Sequence, residues 1–154
     1  MTLSEDEFQE WLHDMDLIIG YLCNKMPDSI RKRLDYSVES LDVLEAWLLE
    51  RYEHNDLMLE KSESLILDGC ARYIGETFRH HLGGHWFIDR KDNCYDGLPL
   101  VGGFGKFVAP KCPLTLASTS VDRRRGDFIS TILRIAIKDQ REQRPFEFPI
   151  QLEE

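Results

Sequence analysis

No stretch of this chain stays apolar for the roughly 18 to 20 residues that a helix needs to cross a bilayer. The opening residues, Met1-Thr2-Leu3-Ser4-Glu5-Asp6-Glu7, are acidic where a secretory leader would be basic and then apolar, so the expected location is the cytoplasm, without a membrane partner. Its cysteines, Cys23, Cys70, Cys94 and Cys112, lie 47, 24 and 18 residues apart, which excludes the Cys-x-x-Cys pairs of zinc knuckles and redox dithiols. Free thiols are expected, with Cys23 and Cys70 serving as small buried hydrophobes on apolar helix faces. A Gly-x-Ser-x-Gly elbow, a His-Glu-x-x-His zinc motif and a complete Gly-x-x-x-x-Gly-Lys-Ser/Thr loop are all missing, so no established catalytic or nucleotide-binding signature is present and no cofactor is called for. The chain also lacks a basic excess. Its net charge of −9 repels phosphate and argues against nucleic acid.

What the chain does have is enough apolar residues, 42% of 154, for one complete core. Its charge is unevenly placed. Residues 1–68 hold 17 acids against 6 bases, a net −11, whereas residues 69–154 hold 11 acids against 13 bases, a net +2. An acidic half of that strength either solvates a helical surface or steers a basic protein partner toward it.

The order of elements reads as helices, then a small antiparallel sheet, then a helix, which is the α+β class. Ser4-Glu5-Asp6-Glu7 is a capping box opening a helix whose inward stripe is Phe8, Trp11, Leu12, Met15, Ile18, Ile19 and Leu22. After Met26-Pro27-Asp28 a short basic helix is expected through Leu34. Another starts near Ser37 or Ser40 and turns Leu41, Leu44, Trp47, Leu48 and Tyr52 inward. A long helix is then expected up to Leu82 through Leu59, Ile66, Cys70, Ile74 and Phe78, with Gly83 as its left-handed stop. Gly69 and Gly75 inside it each cost about 1 kcal/mol relative to alanine, so other elements should cross closely there. Strands are expected at His85–Ile88, Leu98–Val101, Phe104–Val108 and Pro113–Ala117, with a hairpin or wide loop over Asp92–Gly97. A last helix places Phe128, Ile129, Ile132, Leu133 and Ala136 on one face. The domain is expected to cover residues 1–139, leaving residues 140–154 as a charged, proline-containing tail. The three tryptophans read as core anchors.

Two clusters carry potential chemistry. Glu76 and His80 are four apart on one helix face, where a carboxylate can fix an imidazole tautomer for acid–base work, and His85 follows the Gly83-Gly84 turn. These three residues are the candidate site if the chain is a small enzyme or ligand-binding protein. Histidines at a helix C-terminus also suit its dipole without any further role. Gly102-Gly103-Phe104-Gly105-Lys106 brings glycines and a lysine together as phosphate loops do, but Phe107 stands where a hydroxyl would bind magnesium, so a β-turn between strands is the better reading. Arg123-Arg124-Arg125 can bind phosphate or the protein's own acidic half.

Tyr73-Ile74-Gly75-Glu76, followed by Leu82-Gly83-Gly84-His85-Trp86, resembles a pattern in small bacterial α+β domains with a helical N-terminal half and no established activity. With Pro113 and the arginine-rich segment, the resemblance covers roughly residues 37–138. It implies a stand-alone bacterial protein, some relatives of which look like immunity or accessory proteins encoded near toxins, and it transfers no catalytic residue. Together these readings favour a non-catalytic interaction protein that uses an acidic helical face, with Asp42, Glu45, Glu50, Glu53 and Asp56 as candidate contacts, to hold a basic protein partner.

Overall fold

The first helix begins where its capping box sets it. Ser4 Oγ accepts from the Glu7 N–H at 3.2 Å, and the Glu7 carboxylate accepts from the Ser4 N–H at 2.9 Å. The computed structural model describes residues 2–90 and 97–153, with side chains described through residue 142. The expected single N-terminal helix is two, α1 (Glu5–His13) and α2 (Met15–Asn24), parted at Asp14. Phe8, Trp11, Met15, Ile19 and Leu22 are buried across the break. Next come the short α3 (Asp28–Arg31) and α4 (Val38–Arg51), whose Ser37 hydroxyl caps the Ser40 N–H at 3.1 Å.

The long helix expected from the Asp56 region is shorter. Glu60 adopts extended backbone and separates α5 (Asn55–Met58) from a 3-10 turn at Lys61–Glu63 and from α6 (Ser64–Leu82). This shift of register buries Met58 and leaves Leu59 53% exposed, contrary to the inward position read from spacing. α6 is buried nearly all round, as a helix at the centre of a core must be. Its two glycines mark crossings. A Cβ at Gly69 would lie 2.8 Å from Leu22 Cβ, where α2 passes, and one at Gly75 would run into the Trp86 indole.

Gly83 (φ 80) ends α6, with its N–H bonded to Arg79 O at 2.8 Å. β1 (His85–Phe87) then pairs antiparallel with β2 (Leu100–Gly102) in the register His85↔Gly102, Trp86↔Val101 and Phe87↔Leu100. The strands expected at Phe104–Val108 and Pro113–Ala117 do not form. Val101 instead bridges Lys111 alone, and the second segment is the start of α7 (Pro113–Arg123). Proline at the first helical position is preorganised for a helix, and Pro113, Ala117, Ser120 and Val121 form its buried stripe. α8 (Phe128–Glu153) closes the order and runs through the segment set apart above as a tail, while the loop expected over Asp92–Asp96 lies outside the described residues. The architecture is α+β: a helical N-terminal half, a two-stranded antiparallel sheet and a C-terminal helix packed on α4 and α6. Trp11, Trp47 and Trp86 are all core anchors. Cys23, Cys70 and Cys112 carry free thiols, the last two buried. Among the described residues no helix is long and apolar enough to cross a membrane.

Candidate partner-binding groove

α4 divides its surface sharply. Leu41, Leu44, Trp47 and Leu48 are buried, while Glu39, Asp42, Ala46 and Glu50, three or four residues apart, run in a row along the other side with Val43 beside them. α3 and the turn after it lie next to this row and contribute Ile30 and Arg33. Between them is a groove of about 330 Å³ with Ile30, Val43, Ala46 and Trp47 as its apolar lining, and Glu39, Asp42 and Glu50 as carboxylates. That volume lies at the small end of ligand-sized pockets, about 300 to 1,000 Å³.

α8 fixes the rim from behind. Ser130 Oγ donates to Asp42 Oδ1 at 2.5 Å, and Arg134 Nη2 lies 3.4 Å from Glu39 Oε2. The Glu39–Arg134 pair is well exposed and adds at most about 1 kcal/mol. Glu50 is exposed and has no hydrogen-bond or ion-pair partner among the described residues.

Of the five acids expected to meet a partner, Asp42 and Glu50 line this groove. Glu45 does not. It is fully buried, with Oε2 accepting from the Phe128 N–H at 3.1 Å and Oε1 from the Ile129 N–H at 3.0 Å. Glu45 therefore caps the start of α8 from another helix, a use of charge that the helix dipole favours. Burial pushes its carboxyl above the ordinary value, and these backbone N–H bonds oppose the rise. Glu53 and Asp56 are exposed but lie past the end of α4, outside the residues that line the groove. There the Arg124 guanidinium donates to Leu49 O, Tyr52 O and Glu53 O, each at 2.8 Å. Of the two roles open to the arginine run, Arg124 takes the inward one, satisfying the carbonyls that α4 leaves unpaired.

The residues that spacing missed are Glu39, Val43, Ala46, Ile30 and Arg33. Glu39 and Ala46 continue the Asp42–Glu50 row by helical periodicity, which was a usable signal. Ile30 and Arg33 reach it only through the docking of α3.

Glu76, His80 and His85 of the alternative site each meet other partners. Glu76 Oε2 accepts from Arg79 Nη1 at 2.8 Å and from Trp86 Nε1 at 2.7 Å, which ties the end of α6 to β1. His80 stacks on the Tyr36 ring at 6.2 Å, and His85 lies beside Phe87 at 5.8 Å and against Gly103. Among the described residues no hydrogen bond joins Glu76 to either histidine, and no group of three or more His, Cys, Asp and Glu is arranged to hold a metal ion. Gly103 (φ 79) and Gly105 (φ 101) shape a loop rather than a turn between strands. Gln140 fastens it, donating to Leu82 O at 2.9 Å and to Phe104 O at 3.0 Å, over a recess of about 260 Å³. No family model matches the chain, and neither a curated protein nor a solved structure is significantly similar to it.

Proposed function

We propose that this chain is a non-catalytic protein-interaction module whose α3–α4 groove receives a basic segment of a protein partner. One observation carries the reading: an apolar-lined groove walled by Glu39, Asp42 and Glu50 opens on the half of the chain with net charge −11. Apolar lining supplies the area to bury, and the carboxylates select the sign of the partner and speed its approach. An immunity-like role, in which the module masks a basic surface of a toxin or effector, is the form of this function that the Tyr-Ile-Gly-Glu and Gly-Gly-x-Trp resemblance suggests.

The test is a pull-down from the native host with the wild-type chain and with a Glu39→Lys/Glu50→Lys variant, at low and high salt. The expected result is a basic protein retained by the wild type at low salt, released at high salt and not retained by the variant, because exposed charges are screened beyond about 8 Å at physiological ionic strength. Recovery of no protein, or of one that ignores both salt and charge reversal, would contradict the proposal.

A further inference from the structure

Each of the three tryptophans buries its ring, but they differ in what the indole N–H meets. Trp11 Nε1 donates to Asp68 Oδ1 at 3.0 Å and Trp86 Nε1 to Glu76 Oε2 at 2.7 Å. Trp47, 9% exposed, has no acceptor for its N–H among the described residues. No side-chain nitrogen or oxygen sealed from solvent lacks a partner among them, so the Trp47 N–H is open to the outside, and the groove is what Trp47 lines. A buried ring that lines a recess and keeps an unused donor is suited to an acceptor brought by a ligand.

The acceptor's chemistry is constrained by its neighbours. Three carboxylates, Glu39, Asp42 and Glu50, stand against one guanidinium, Arg33, in the lining, so the net charge there disfavours a carboxylate or phosphate relative to a neutral carbonyl. In a helical partner almost every backbone carbonyl is already bonded within the helix, except in its last turn. An extended segment presents unused carbonyls along its length. Its dimensions also match. Asp42 and Glu50 are eight residues apart on α4, about 12 Å along the axis at 1.5 Å per residue. Cations four residues apart on an extended segment fall on one side of it and are separated by about 13 Å.

Resting on the function proposed above, we infer that the partner segment lies in the groove as an extended strand, with a backbone carbonyl accepting from Trp47 Nε1 and basic side chains four residues apart meeting Asp42 and Glu50. Midway between the two basic residues, and on the same side of the segment, an apolar residue covers Val43 and Ala46.

The experiment is calorimetric titration of two probes into the full chain: a capped peptide repeating Arg-Ser-Val-Ser, which puts arginine and valine on one side of the extended chain, and a lactam-stapled alanine helix carrying the same number of arginines. Three proteins are compared: wild type, Trp47→Phe, which keeps an aromatic ring near Arg51 but removes the donor together with part of the buried ring, so that its fold is checked by circular dichroism, and Glu39→Lys/Glu50→Lys. The wild type is expected to bind the extended peptide several-fold more tightly than the helix. Trp47→Phe should weaken the extended peptide by roughly three- to tenfold, the equivalent of one neutral hydrogen bond, and leave the helix unaffected. Charge reversal should weaken both. If both probes bind alike and Trp47→Phe changes neither, while charge reversal still weakens them, the strand inference is overturned and the acidic groove stands. If neither probe binds saturably to the wild type, both the inference and the proposed function fail.

Discussion

Replacing Gly75 by alanine sets two effects of opposite sign against each other. Helix propensity alone would stabilise α6 by about 1 kcal/mol. The new methyl, however, would occupy space held by the Trp86 indole. Trp86 cannot yield cheaply, since its N–H is bonded to Glu76 at 2.7 Å and its ring meets Trp11 edge-on at 4.8 Å between centroids. Overpacking costs about 1 to 3 kcal/mol, and loss of a hydrogen bond to a carboxylate adds about 1.5 to 3 kcal/mol if the indole is displaced. The expected net effect is destabilisation by about 2 kcal/mol, a fall in Tm of roughly 4 to 8 °C for a chain of this size. Urea denaturation followed by circular dichroism measures it. Gly20→Ala in α2 is the control, because a methyl there meets nothing within 4 Å and should give up to about 1 kcal/mol of stabilisation. A Gly75→Ala protein as stable as the wild type, or more so, would refute the claim that Trp86 packs directly on α6.

Arg124→Ala should destabilise the fold by about 1 to 2 kcal/mol in the same denaturation assay, since it strips three carbonyls at the end of α4 of their shared donor; no change would show that solvent replaces the guanidinium without cost. For Glu45, a folded-state pKa above the unfolded 4.5 means that the folded protein holds the proton more tightly, so this group's contribution falls as pH rises through its raised value. Stability measured against pH should therefore show wild type losing ground relative to Glu45→Gln as pH rises above about 4.5. A difference independent of pH across that window would mean that Glu45 titrates normally.

Local chemistry made much of the fold legible. Ser4 and Glu7 set the first helix start, Gly83 its counterpart stop on α6, and Gly69 and Gly75 signal close crossings, which α2 and Trp86 turn out to make. Within Pro113–Ala117, Leu114 and Leu116 alternate with Thr115 as in a strand, although Pro113, Ala117 and Val121 hold a helical spacing. Hydroxyls in this stretch bond back to carbonyls three residues earlier, as Thr115 does to Cys112 O at 2.9 Å, and so fit a helix after all. Glu45 was misplaced for a different reason. It stands four residues after Leu41 and three before Leu48, on the apolar stripe itself, and an acid there signals an internal partner rather than an exposed contact. That partner, the start of α8, is more than 80 residues away in sequence and invisible to spacing. The same limit hid one side of the groove, because Ile30 and Arg33 join Asp42 and Glu50 only when α3 docks.

The most direct test of the partner-binding account observes the three indole N–H resonances of the uniformly ¹⁵N-labelled chain as the basic partner recovered by pull-down is added. Trp11 and Trp86 are bonded internally to Asp68 and Glu76, so their signals should hold still, while the Trp47 signal should move to saturation together with the backbone amides of Glu39, Asp42, Val43, Ala46 and Glu50. A saturable complex in which Trp47 and these amides stay unperturbed, and changes fall instead on His80, His85 or the Gly103–Phe107 loop, would contradict it.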